Sequence, residues 1–440
     1  VHTISWNNIK FWLTHNTLAG VGLKSNYYRP FLFFTFALNY VISGIKPFGY
    51  HLLSNLIHIA NGILIFIFLN RLLTTSDVQR TSDVKILGRW VAFLTALFFT
   101  IHPLNTEAIT YISGRGDALV VFFMLLALYL WITDIASRYD KIVDNRHRKS
   151  VILKFLSLSA LVLALLSRET AIIFPFLAFV FYVSFISKER FLKSIKQGLI
   201  KTWPYFAVVI VYGVLRLTVL NFQNTLNFYT EPNLYSENLY IRIFTFLPIL
   251  WEYLKLLIVP AGLHMERSSV VYTSLFQWPI WLIFLGLTGL LYWLRYLYKR
   301  QSTIYNPQPT TFQIWFFGVA LFFMALGPVS GITPINALMY EHWLYLPMIG
   351  FWLIVSFYLI KLFDYLKKTQ KLLFVICILL FGAYISFFGF QSIKRNILWG
   401  NPLAFYLDIL KYEPDSMRIN NNVGNIYYNK NDLENAEKYY

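Results

Sequence analysis

The chain has 440 residues, of which 57% are hydrophobic, 19% aromatic and only 13% charged, with a mean hydropathy of +0.53. Soluble domains carry about 25% charged residues, so the composition excludes a water-soluble globule and describes a polytopic, all-α integral membrane protein. The net charge of +17 does not point to nucleic acid, because the basic residues cluster in short loops between apolar runs, as topology determinants do.

Residues 1–26 are polar and aromatic, and Val1 stands where a Met would be expected, so the N-terminus reads as cut, with at least one membrane helix upstream. Residues 30–44, opened by Pro30 at a helix N1 position and closed by Gly44, rise about 21 Å. A bilayer needs about 20 apolar residues, so this helix is predicted to lie along the surface. Ten runs are predicted to span the membrane: 49–70, 89–102, 117–135, 151–167, 170–187, 203–221, 275–296, 312–328, 343–362 and 372–391. Residues 248–260, bracketed by Pro248 and Pro260 and carrying Glu252 and Lys255, read as an interfacial or re-entrant helix.

Alternate loops carry Arg71, Arg80 and Lys85; Lys141, Arg148 and Lys149; Lys193, Lys196 and Lys201; Lys299 and Arg300; and Lys361, Lys367 and Lys368. Those loops are predicted to be cytoplasmic. The intervening loops, together with 1–48 and 392–440, then face the periplasm or an organelle lumen. Acids and histidines gather on that side: His102, Glu107, Asp117, Glu169, Glu231, His264, Glu266, Glu341 and His342. The predicted organisation is a first outer loop (1–48), a transmembrane core (49–391) and the start of a repeat domain (392–440). In the last of these, Gly424-x-x-Tyr427 followed by Ala436 and Tyr440 has the spacing of a tetratricopeptide (TPR) repeat, with Pro414 where a preceding repeat should end. Such repeats need stacked neighbours, so more are expected to follow.

Carboxylates at membrane depth are costly unless used or paired. Glu341 and His342, between two apolar runs in Pro334-Ile-Asn-Ala-Leu-Met-Tyr-Glu-His-Trp-Leu-Tyr-Leu-Pro347, therefore mark a membrane-embedded site. The segment from His102 to Asp117 leaves Glu107, Arg115 and Asp117 near a membrane edge, where they either hold an anionic head group beside a base or only pair Arg115 with Asp117 or Glu107. Arg29, Arg168, Arg216 and Arg242 lie on the outer side against the positive-inside bias. They suit a lipid-linked phosphate or pairing with local acids. His51, Asn55 and His58 share a helix face, and a polar stripe bonded to a neighbouring helix is favoured over a metal site, since no acid joins them. The one cysteine, Cys377, permits no intrachain disulfide, and no P-loop, G-x-G-x-x-G, H-E-x-x-H, G-x-S-x-G or C-x-x-C is present.

Asn39-Tyr40, Gly49-Tyr50-His51, Asn55, His58 and Asn61, then His102-Pro103, Thr106-Glu107-Ala108 and Gly114-Arg115-x-Asp117, resemble the transmembrane, TPR-containing O-mannosyltransferase-like proteins of the GT-C superfamily. The resemblance continues through Ser167-Arg-Glu-Thr-Ala171, Arg242-x-x-Thr245, Tyr253-x-x-Leu256, the 334–350 signature and Arg395-Asn396-x-x-Trp399. It implies a GT-C fold with a polyprenyl- or dolichyl-phosphate sugar as co-substrate, no further cofactor, and transfer of the sugar, commonly mannose, to polypeptide Ser or Thr hydroxyls. It also implies that the repeats present the acceptor. By matching position, Glu107 and Asp117 are the expected catalytic residues, and Arg29, His102, Arg115, Arg216, Arg242, Glu341 and His342 the expected substrate or phosphate contacts. Two departures are that Arg168 stands where the family usually has Lys, and His342 where it usually has Arg. The family's catalytic acid lies in a first outer loop that would precede Val1. The competing expectation is a membrane-anchored TPR scaffold with a degenerate core. The absence of N-x-S/T sequons favours a bacterial inner membrane over the endoplasmic reticulum.

Overall fold

A computed structural model of the chain describes residues 3–23, 25–74, 82–139, 146–187, 189, 191–222, 232–300, 310–335 and 337–440. Arg80, Lys141, Glu231 and Asn336 lie outside the described residues. Helices α1 (Trp6–Thr14) and α2 (Pro30–Ser43) precede the long α3 (Pro47–Thr74) and α4 (Ser82–Ile101). The short α5 (Asn105–Thr110) leads to α6 (Arg115–Tyr139) and α7 (Arg146–Ser167), then α8 (Phe174–Phe181) and α9 (Phe191–Leu217). Two helices, α10 (Leu234–Glu237) and α11 (Leu239–Ile258), come before α12 (Trp278–Arg300), α13 (Thr311–Leu326), α14 (Pro347–Thr369) and α15 (Lys371–Trp399). Three short helices follow: α16 (Pro402–Leu410), α17 (Met417–Asn429) and α18 (Leu433–Tyr439). Among the described residues the only β pairing is an isolated bridge between Arg267 and Met339.

The protein is an all-α, polytopic membrane protein. Nine helical stretches among the described residues are long and apolar enough to cross a bilayer, and they coincide with nine of the ten predicted runs. The tenth, 89–102, is the second half of α4. Lys85 and Arg89 occupy the first half, so the uninterrupted apolar part covers only about 18 Å at the helical rise. It is nonetheless core: Phe98 and Phe99 are buried, and Phe98 stacks on Trp352 of α14 at 4.0 Å and 12°. By contrast, α15 turns Leu372, Leu379 and Leu380 outward, the surface a helix offers to lipid rather than to protein.

Local chemistry sets the ends. Pro30 opens α2 and Gly44, at φ +58°, stops it; Thr310 and Gln313 form a capping box on α13; Asn401 caps α16 just before Pro402. The predicted helix 248–260 is longer than expected. It begins at Leu239 and runs through Pro248, because Arg242 ties its first half down by donating to the Gly331 carbonyl at 2.6 Å. Helices α13 and α14 cross at two glycines: a Cβ added at Gly350 would stand 2.2 Å from the Gly318 carbonyl oxygen and 3.1 Å from the Phe322 nitrogen. That contact is between backbones, so no side chain can yield. Gly350→Ala is expected to cost about 1–3 kcal/mol and to lower the melting midpoint in detergent, read by tryptophan fluorescence. Gly382→Ala, whose methyl meets nothing within 4 Å, should leave that midpoint in place.

Candidate functional site

Four segments converge at one end of the bundle: the 102–117 connection, the 167–169 corner, the 262–268 loop and the 334–346 signature. Each is the turn between helices, so the short α5 and the one-turn helix Glu341–Leu344 can aim carboxylates inward without interrupting a span. Glu107 and Glu341 are both buried.

His342 links them. Its Nδ1 stands 2.9 Å from Glu107 Oε1, and its backbone N–H donates to Glu107 Oε2 at 3.0 Å. On the other ring face Arg168 Nη2 lies 3.3 Å from Nε2. A guanidinium only donates, so Nε2 accepts and the ring proton sits on Nδ1, facing Glu107. Arg168 in turn pairs with Asp117, and beside it Glu169 takes Arg29 Nε at 3.2 Å and the Tyr28 N–H at 2.8 Å. Glu341, next to His342, accepts from Arg267 Nη2 at 2.6 Å, from the His264 N–H at 2.7 Å and from Arg395 Nη2 at 3.3 Å. Four carboxylates (Glu107, Asp117, Glu169, Glu341) and four guanidiniums (Arg29, Arg168, Arg267, Arg395) thus form three contact groups, Arg29–Glu169, Asp117–Arg168–His342–Glu107 and Arg267–Glu341–Arg395, joined through the chain neighbours Arg168-Glu169 and Glu341-His342.

Other expected contacts stand apart from those groups. Arg115 is buried and pairs with neither Asp117 nor Glu107. It donates to Ser54 Oγ at 3.1 Å, to Thr35 Oγ1 at 3.2 Å and to the Tyr50 carbonyl at 2.9 Å, with its guanidinium over the Phe36 ring. It therefore fastens α2, α3 and α6 together. Arg242 binds the carbonyls of Gly331, Tyr235 and Ser236. Arg216 donates to the Leu220 and Asn26 carbonyls between the Tyr28 and Phe222 rings. Among the described residues no ion pair with a carboxylate forms at Arg115 or Arg242. His102 is neutral by its contacts: Nδ1 accepts the Leu104 N–H at 3.3 Å, and Nε2 donates to the Leu257 carbonyl at 3.0 Å. Of the polar stripe of α3 only His58 is spent on neighbours, on the Tyr345 hydroxyl and the Thr100 carbonyl, as is the nearby Asn61 on Ala118 and Tyr345, whereas Asn55 is exposed and donates to the His51 carbonyl of its own helix.

Sequence reasoning missed Arg267 and Arg395 as partners of Glu341, and its pairing of outer arginines with local acids did not single out Asp117 as the partner of Arg168. The available signal was their position: arginines retained in segments otherwise poor in Lys and Arg.

Beside this end lies a cavity of about 930 Å³ between α11, α12, α13 and α14, lined mostly by apolar side chains such as Leu254, Leu282, Leu287 and Phe322, with Glu252 among the few polar ones. Helix α11 is a shared wall. Leu250, Trp251 and Leu254 line the cavity, while the Tyr253 hydroxyl donates to the Tyr340 carbonyl of the signature segment at 3.3 Å.

The chain is similar to the mouse protein named protein O-mannosyl-transferase TMTC3, 26% identical over 94% of this chain and 44% of the relative. It is also similar to the Xenopus laevis protein O-mannosyl-transferase tmtc2, 24% identical over 99% of this chain and 57% of the relative. The human protein O-mannosyl-transferase TMTC2 reaches 34% identity, over 30% of this chain and 14% of its own length. The resemblance to transmembrane O-mannosyltransferase-like proteins is thereby borne out, and the chain spans about half the length of the curated relatives it matches. No family model matches, and no solved structure does.

Burial acts to raise the Glu107 carboxyl, but the His342 ring and backbone N–H, with Arg395 beyond them, outweigh it and hold the group below the ordinary carboxylate range. A carboxyl depressed in the folded state stabilises fully above its unfolded pKa, and that contribution fades as pH falls through the folded value. The melting midpoint of the parent should therefore drop on acidification below about pH 4.5, and the drop should be shallower in Glu107→Gln. Equal slopes in a differential-scanning-fluorimetry series would contradict the contact.

Proposed function

We propose that this chain is the membrane part of a glycosyltransferase that moves a sugar, with mannose first in line, from a polyprenyl- or dolichyl-phosphate donor to a polypeptide Ser or Thr hydroxyl. The observation that carries it is the gathering of four paired acids and four arginines around His342 at the end of an apolar bundle in a protein similar to named protein O-mannosyl-transferases.

In this reading the acceptor Oγ attacks the sugar C1, the C1–O bond to phosphate breaks, and the hydroxyl proton passes to a carboxylate. Glu107 suits that role because its surroundings keep it ionised and His342 orients it through both oxygens. Asp117 is the alternative acceptor of the proton, with Arg168 free to move toward the leaving phosphate as Asp117 is protonated. Lipid phosphate departs as an anion and needs cations already in place. Arg115 and Arg242, whose bonds go to neutral acceptors, leave positive potential at this end of the bundle. Arg29 and Arg168 are the direct phosphate contacts, and Arg115, Arg216, Arg242 and His102 hold their segments in place. The polyprenyl chain takes the apolar cavity behind α11, whose other face meets the signature segment. The catalytic side is the periplasmic or luminal one, opposite the Lys- and Arg-rich loops. Helices α17 and α18, crossing at Gly424 and the Tyr440 ring, begin a TPR array that presents the acceptor.

One observation favours a second reading, a scaffold with a degenerate core: each carboxylate of the cluster already has a cationic or imidazole partner. Transfer from radiolabelled polyprenyl-phosphate mannose and glucose separates the two. Glu107→Gln and Asp117→Asn should each lower transfer by about 10²–10⁴-fold with the protein still folded, and unchanged transfer in both would remove them from the chemistry. The cavity has its own test. Gly286 lines it and has open space at its Cβ, so Gly286→Phe should raise KM for long-chain donors and spare a short-chain donor analogue. An equal effect on both chain lengths would place the lipid elsewhere.

A further inference from the structure

The 262–268 segment touches two partners at once. On one side the Arg267 guanidinium and the His264 N–H hold Glu341 Oε1, at 2.6 and 2.7 Å. On the other, Glu266 accepts from Ser416 Oγ at 3.0 Å and Arg418 Nε at 2.8 Å, and the Ser268 N–H donates to Glu413 at 2.8 Å. His264 lies flat on the Tyr412 ring, with centroids 4.4 Å apart and planes within 1°. The second guanidinium on Glu341, Arg395, also donates to the Leu263 carbonyl, and it sits just before the last turn of α15, the helix that leads into α16.

Both counter-ions of a fully buried carboxylate are therefore carried by elements that also hold the C-terminal helices. A buried acid that loses one partner costs far more than an exposed pair gains. The two ends of the device differ in this way: the Glu341 side chain is 0% exposed, while Arg418 on the outer contact is 50% exposed. The exposed contact is the one that can open and close.

We propose that the seating of α16 to α18 on the 262–268 segment positions Glu341, and through the adjacent His342 the Glu107 contact, so that the segment is a bracket by which the C-terminal repeat region sets the geometry of the transfer site. Its effect on activity rests on the transferase reading; its effect on structure does not. Docking of a polypeptide on the repeats then reaches Glu107 through the 262–268 loop and through Arg418, which also hydrogen-bonds Tyr340 of the signature segment, with α16 to α18 docked or undocked as the two states that both sites bias.

The test uses the full chain in lipid nanodiscs, with hydrogen exchange followed over 340–346 and 400–440 and sugar transfer measured in parallel. Glu266→Arg is expected to lower protection over both stretches by about five- to tenfold and to lower transfer at least as much. Pairing it with Arg418→Glu should restore protection and transfer together. Arg418→Gln, a milder cut at the exposed end, should give the same pattern in smaller measure and guards against misfolding of the reversal. Protection lost over 400–440 with 340–346 unchanged overturns the bracket, as does no loss in either stretch. Exchange that follows the expected pattern in a parent that transfers no sugar sinks the transferase reading and leaves the bracket standing.

Discussion

A carboxylate leaves water only in company, and one end of this helical bundle is organised by that requirement. Removing a charge from solvent costs several kcal/mol even after relaxation, and a partner repays it only with good geometry and with its remaining donors satisfied. Glu341 is held by two guanidiniums and a backbone N–H, although the Nε of both arginines is left buried without a partner, and Glu107 is held by the ring Nδ1 and the backbone N–H of His342. Because each cation is itself tethered to a different segment, satisfying the acids fixes the segments against one another. The loops at this end are held by charge where the spans are held by packing.

The same requirement explains why arginine dominates. Arg115 and Arg242 fan their donors across carbonyls and hydroxyls belonging to several segments, a task for a planar fork with five N–H groups rather than for an ammonium. Gly331, at φ +83°, lets its carbonyl turn toward Arg242, and a Cβ there would stand 2.9 Å from the arginine's own Cβ. These residues hold the frame within which the paired acids are placed.

Much of this was legible in the sequence because it depends on period and length. The nine span-length apolar helices among the described residues, the short α2 with its Pro30 start and Gly44 stop, and the gathering of acids at one rim follow from hydropathy, turn chemistry and the distribution of Lys and Arg. Partner choice was not legible. Arg115 and Asp117 are two residues apart, yet on a helix such neighbours point to different faces, so Arg115 turns to α2 and α3 while Asp117 meets Arg168 from α7's end. The extent of α11 was hidden for a related reason. Proline reads as a boundary in one dimension, but a helix anchored at Arg242 and Tyr253 by tertiary contacts tolerates the one lost bond at Pro248.

Helix α11 also shows how a lipid environment and a charged cluster can share one element. Its cavity side presents Leu250, Trp251 and Leu254 to an apolar space, and one residue away Tyr253 hydrogen-bonds the signature segment that carries Glu341 and His342. A rigid helix keeps a fixed offset between its two faces, so any chain lodged on the first has its head held at a set height relative to the second. Loops alone would leave that height free, and charge alone would draw a phosphate to the nearest arginine. In the proposed transferase the apolar wall would supply the register, and the paired acids and arginines the chemistry that register serves.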